Sequence, residues 1–186
     1  MSAAASNLVI SLVAMQVARK IPFDDPEILN YVRFAYVVVQ LAVLGIYLLV
    51  SSKIRAKNDQ TVLKYVEPGN PLSGDSQGTL VTITVKDYDL QETSKAVKSV
   101  YMGIAMMAFL HGYMKYTQPL FIQSLMGLKN LYDAKVVAIH LLGKPAEGDL
   151  KRPFKAPSMF GAPAGGPQTD KAAIDEAEKR AGKKED

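Results

Sequence analysis

FAYVVVQLAVLGIYLLVSS, residues Phe34–Ser52, decides the fold class: nineteen positions without one charged side chain. As an α-helix at ~1.5 Å per residue the stretch is roughly 28 Å long, close to the hydrocarbon thickness of a bilayer. Buried helices of soluble domains are usually shorter and keep a polar face. The stretch therefore predicts a transmembrane helix, taken as residues 31–52. Lys53, Arg55, Lys57 and Lys64 follow at once, with only Asp59 opposing them, so the positive-inside rule puts this end in the cytosol.

Charge is segregated along the whole chain. Met1–Ala18 and Ser99–Met114 carry no charged side chain, whereas charges crowd into Lys53–Lys98 and Lys144–Asp186. Uniform mixing, as in an ordinary soluble domain, is excluded, and the apolar blocks are too long for a disordered chain. Cysteine is absent, which removes disulfides, thiol nucleophiles and Cys-based zinc or iron–sulfur sites. The histidines are His111 and His140, and no HExxH, GxSxG, P-loop or GxGxxG motif occurs. The expectation is a protein that is not an enzyme and uses no cofactor or metal.

Working outward, Val100–Met114 reads as the apolar part of one long helix over residues 90–117, cytosolic at its start and then transmembrane. Asp89 with Glu92 resembles its capping box, and Pro119 ends or bends it. Residues 1–20 read as a short N-terminal membrane-embedded helix around Leu8–Ala18. No basic segment precedes that run, so a cleaved signal peptide fits poorly. Residues 119–142 contain Lys129, Asn130, Asp133 and Lys135. A charge at mid-bilayer costs ~2.5–3.5 kcal/mol on the insertion scale. The segment is therefore either a shielded, polar spanning helix or an interfacial helix pair, with Lys129 and Asp133 four apart on one face. A cytosolic tail requires it to cross back.

Residues 53–89 form a cytosolic loop, with turns over Glu67–Gly78 and a short strand over Thr79–Val85 that needs a neighbour. The tail, residues 143–186, is basic and extended over Lys144–Gln168, with helical periodicity in Thr169–Ala181. The reading is thus an all-α membrane protein: a small bundle of three to four membrane-embedded helices, a cytosolic loop containing a short strand, and a basic, extended C-terminal tail.

Polar side chains recur at helical spacing inside the apolar runs. Arg33, Tyr36, Gln40, Tyr47 and Ser51 form one stripe, and His111, Lys115 and Gln118 a second; Gln16 and Arg19 lie three apart in the first segment. Polar groups in hydrocarbon face protein or water. The candidate polar groove comprises Arg33, Gln40, His111, Lys115 and Gln118. The bland alternatives are helix–helix hydrogen bonding and snorkelling of Arg33 and Lys115. Met102, Met106, Met107 and Met114 offer an adaptable apolar surface, or simple packing.

Four stretches resemble a known family: AKNDQTVLKYVEPGN (Ala56–Asn70), VKDYDL (Val85–Leu90), MGIAMMAFLHGYMKYTQPLFIQS (Met102–Ser124) and HLLGKPAEGDLKRPFKAPSMFG (His140–Gly161). They are similar to a small fungal endoplasmic-reticulum membrane family, first labelled inorganic phosphate transport protein and later identified as component 3 of the SRP-independent (SND) targeting pathway. The resemblance implies a membrane-protein targeting and insertion factor, an insertase or intramembrane chaperone. Its implied partners are the ribosome, the Sec translocon, other SND components, nascent membrane-protein clients and lipids. Lys53, Arg55, Lys57, Lys151, Arg152 and Lys155 are the candidate ribosome or translocon contacts, ribosomal RNA included. The rival readings are a phosphate transport or transporter-maturation protein, and a non-catalytic ribosome or translocon adaptor.

Overall fold

The computed structural model describes residues 3–68, 78–155 and 166–182. In chain order the elements are α1 (Ala3–Ala18), α2 (Pro26–Lys57), β1 (Val62–Glu67), β2 (Thr79–Thr84), α3 (Val85–Met107), a π-helical turn (Ala108–Tyr113), α4 (Gln118–Asp133), α5 (Lys135–His140), a 3-10 turn (Gly148–Leu150) and α6 (Lys171–Gly182). Most of the turn-rich Glu67–Gly78 segment and residues 156–165 of the tail lie outside the described residues.

Helix α2 organises the molecule. It starts earlier than the uncharged run: Asp25 caps it by accepting the Glu27 amide at 2.9 Å, and Pro26 sits in the first turn, where its missing N–H costs nothing. It ends at Asn58, whose left-handed backbone (φ 46°) stops propagation, with Arg55 and Lys57 at the negative end of the helix dipole. Its 32 residues extend ~48 Å, well beyond the predicted span. Among the described residues it is the one helix long and apolar enough to cross a bilayer. One face, with Val43, Tyr47, Val50 and Ile54, packs on Leu131 of α4 and on Val136 and Val137 of α5. Leu90, Ala96, Val97 and Val100 of α3 complete that core. The opposite face is apolar yet open, with Leu41 65% and Leu48 70% exposed.

The long helix predicted from Leu90 begins instead at Val85. Strand β2 runs straight into it, and Thr84 rather than Asp89 is the cap: its hydroxyl accepts the Asp87 amide at 3.1 Å and donates to Asp87 Oδ2 at 2.8 Å. The amides of Val85 and Lys86 donate to the carbonyls of Thr61 and Asp59, which satisfies the first-turn donors. Asp89 therefore lies a turn inside the helix. At the other end α3 loosens into the π-helical turn and the chain reverses at Met114–Thr117, where Lys115 adopts φ 61°. The reversal precedes Pro119. Pro119 neither ends nor bends this helix but opens α4, in the first-turn position proline tolerates. Residues 118–140 form two helices, broken at Ala134 by an extended backbone (ψ 120°). Helix α1 packs along α4, burying Ala14 and Ala18.

The strand expected at Thr79 has its neighbour in β1, which lies inside the predicted loop. The two pair antiparallel, from Val62 opposite Thr84 to Glu67 opposite Thr79. Gly78 is required where the hairpin closes: a Cβ there would lie 2.6 Å from Val66 Cγ1 and 2.9 Å from the Glu67 carbonyl. The described tail is not a free extended arm. Gln168 exchanges two 2.9 Å backbone bonds with Val66, Ala177 of α6 is buried, and Glu178 pairs with Lys64 at 2.8 Å.

Candidate functional site

Two adjoining cavities run between α2, α3, α4 and α5. The inner one, about 470 Å³, lies among Gln40 and Tyr47 of α2, Val100 and Gly103 of α3, and Gln123 and Asn130 of α4. Its walls are mostly apolar, interrupted by these three amides. Gln40 is buried, at 8% exposure. Gln123 presents a buried Oε1 with no hydrogen-bond partner among the described residues. Such an acceptor costs ~1–3 kcal/mol while unmet. Gly103 makes room for this amide: a Cβ there would lie 2.5 Å from Gln123 Nε2.

The outer cavity, about 550 Å³, shares Ala96, Ser99 and Ala134 with the inner one and is lined further by Glu92, Lys95, Lys135, Phe154 and Lys155. It is the basic mouth of the groove. Lys95 pairs with Glu92 at 2.7 Å. The Lys135 ammonium donates to the Lys155 carbonyl at 2.8 Å and stands 5.4 Å from the centre of the Phe154 ring.

The mouth is fastened by a buried clasp that joins three distant parts of the chain. Asp89 is 0% exposed. It receives two bonds from Arg152, Nε to Oδ1 and Nη2 to Oδ2, each 2.6 Å, and lies 2.6 Å from His140 Nε2. Burial pushes the Asp89 carboxyl up, but the hydrogen bonds and charges of His140 and Arg152 outweigh it and hold the carboxyl below its ordinary value. One residue on, Tyr88 accepts the Phe154 amide at 2.7 Å and meets the Phe154 and Tyr65 rings edge-on, at 5.4 and 5.9 Å. Burial raises the Tyr88 hydroxyl well above the usual phenol range.

The residues singled out from spacing are distributed as follows. Gln40 lines the groove. Arg33 and His111 meet at the far end of α2, where Arg33 Nε donates to His111 Nε2 at 2.9 Å. His111 Nδ1 then lies 2.8 Å from the Tyr116 carbonyl as its donor, across the reversal. Lys115 and Gln118 are exposed on or beside that reversal and are absent from the groove lining, because the chain turns before the stripe can continue. Gln16 of α1 and Arg19, just past its end, are likewise exposed. Of the basic contacts, Lys53, Arg55, Lys57, Lys151 and Lys155 are exposed, whereas Arg152 is withdrawn into the clasp and does not present its guanidinium to a partner. Lys129 and Asp133 form the ion pair their spacing allows. Met102, Met106 and Met114 are exposed, while Met107 is buried against Tyr36 and Leu120.

Spacing missed Gln123, Asn130 and the clasp. The clasp partners of Asp89 lie 51 and 63 residues away, beyond any local pattern. The usable signal was their position: Asp89 falls within VKDYDL, and His140 and Arg152 within HLLGKPAEGDLKRPFKAPSMFG.

The chain is 52% identical over 175 residues to SRP-independent targeting protein 3 of Saccharomyces cerevisiae, covering 94% of this chain and 93% of that protein. It is 41% identical over 169 residues to the SRP-independent targeting protein 3 homolog of Schizosaccharomyces pombe, covering 91% and 87%. A second Schizosaccharomyces pombe protein, described as uncharacterized, is 47% identical over 162 residues, covering 87% and 80%. No solved structure matches. The family model described as Phosphate transport (Pho88) matches residues 1–185, and with these relatives it places the chain: it belongs to the Pho88 family.

Proposed function

We propose that the protein is a non-enzymatic targeting and insertion factor of the endoplasmic-reticulum membrane, as the names of its relatives suggest. The bundle is embedded in hydrocarbon, which solvates the open apolar faces of α1, α2 and the α3–π body far better than water would. α2 crosses the bilayer, with its basic end, the hairpin and the clasp in the cytosol. The α3–π body and the α4–α5 pair complete the embedded bundle, and α1 lies against α4 within it.

The observation that carries the reading is the amide-lined groove behind a basic mouth. A client's flanking polar segment entering from the cytosol finds Asn130, Gln123 and Gln40 in place of water, which lowers its desolvation cost. The client's apolar helix then leaves sideways into lipid, driven by its own burial. Lys53, Arg55 and Lys57, with Lys151 and Lys155, offer an exposed basic surface toward a ribosome or translocon.

Reconstitution with a tail-anchored or multipass client tests this. Gln40→Leu combined with Gln123→Leu is expected to lower insertion at least about tenfold, while Lys115→Leu, outside the groove, leaves it unchanged. Full insertion by the double variant would refute the groove mechanism. A second reading, phosphate transport, has the family description behind it. Saturable phosphate uptake into proteoliposomes by the purified protein, with no insertion, would favour it.

A further inference from the structure

We propose that the basic mouth is a binding site for the headgroup of an acidic glycerophospholipid, whose acyl chains lie along the apolar wall of the inner groove. The inference rests on the membrane placement proposed above but not on client insertion.

Charge comes first. The mouth holds three lysines and one carboxylate, and Glu92 is taken up by Lys95. Lys135 and Lys155 remain, and no carboxylate among the described residues lies within salt-bridge distance of either ammonium. Lys135 is held in place by the Lys155 carbonyl and the Phe154 ring, and one such bond leaves two of its three N–H donors unused. The Ser99 hydroxyl adds a donor at the inner edge. The anchored Lys135 ammonium, the exposed Lys155 beside it and a hydroxyl suit a phosphodiester monoanion.

Depth and shape select the lipid over free phosphate. Lys98 is the last charged side chain before the uncharged Ser99–Met114 run, so this turn of α3 sits at the boundary between water and hydrocarbon. A phospholipid holds its phosphate at that level. The rest of the mouth is apolar, with Phe154 on one side, and it opens through Ser99 into the inner groove toward Val100. An inorganic dianion gains nothing from such walls, whereas an amphiphile matches both halves. A zwitterionic lipid would bring its own ammonium against the lysines and is disfavoured.

Binding is measured on the purified full-length protein in detergent, by native mass spectrometry with dioctanoyl-phosphatidylinositol, dioctanoyl-phosphatidylcholine and inorganic phosphate as separate probes. Phosphatidylinositol is expected to bind at least about tenfold more tightly than phosphatidylcholine. The exposed Lys155→Gln change should weaken it about fivefold and Lys135→Gln with Lys155→Gln on the order of twentyfold, near 1 kcal/mol per cation. Lys53→Gln with Arg55→Gln, the same charge loss outside the mouth, should leave affinity unchanged. Equal binding of both lipids, full affinity in the mouth variants, an equal loss in the distant pair, or occupancy by phosphate but not lipid would each overturn the assignment. No client is present, so a protein that binds lipid but fails to insert clients refutes the insertion reading alone.

Discussion

Arg152→Met isolates the clasp. The substitution deletes both guanidinium bonds to Asp89 but keeps an unbranched apolar stem of similar length. Asp89 stays fully buried with His140 as its only partner in the clasp. Removing one partner of a buried ion pair costs ~3–5 kcal/mol, and the retained His140 contact holds the loss near the lower end, about 3 kcal/mol. For a chain of this size each kcal/mol moves the midpoint by about 2–4 °C, so thermal unfolding in detergent should occur about 10 °C lower. The loss also frees residues 144–155 from α3, so trypsin should cut faster after Lys151 and Lys155, which are unchanged in the variant. Adding Asp89→Asn removes the stranded charge and should recover about 1–2 kcal/mol, a coupling expected of residues in one network. A variant that melts with the parent and keeps its tail protected would show that the clasp does not hold the mouth together.

Other outcomes follow from the same geometry. Because the folded Asp89 carboxyl sits below its ordinary value of 3.8, its contribution is complete above about pH 5 and is lost as pH falls through 3.8 toward the folded value. Melting temperatures from pH 7 to pH 3 should show this loss in the parent and a flatter profile in Asp89→Asn. Gly103→Ala drives a methyl group into the Gln123 amide, so client insertion should fall while the melting temperature shifts little, since the displaced atom ends a flexible side chain. Lys64→Ala breaks an exposed pair that water and salt screen, so the melting temperature should barely move and hydrogen exchange at Val66 should still report the docked Gln168 bridge.

How far the sequence could be read depended on the range of the interaction. Helix α2 was legible because its apolar run is long and uninterrupted; its true ends were set by Asp25 and Asn58, which lie outside that run. Strand β2 showed its alternation, whereas β1 hid in a loop because Lys64 breaks the apolar series of VLKYVE. The cap of α3 was misplaced by five residues because Asp89 with Glu92 fits a capping pattern as well as Thr84 with Asp87 does, and only the incoming strand decides between them. In the groove, Gln40 stood out as a lone amide amid aliphatics. Arg33 and His111 were found but placed in the wrong company, since spacing gives the face of a helix and not the point where the chain turns back. Gln123 and Asn130 were overshadowed by neighbouring charges, although neutral amides are what a groove in hydrocarbon can hold at lowest cost.

The order in which the clasp is built matters during synthesis. Asp89 is added to the growing chain 63 residues before Arg152. His140 follows Asp89 by 51 residues, so until Arg152 is made the carboxylate has at most one of its two partners, and Phe154 and Lys155 of the mouth are still missing. Synthesis of Arg152 is thus the step that completes the clasp: a product truncated before it keeps α1 to α5 but leaves Asp89 without its two guanidinium bonds.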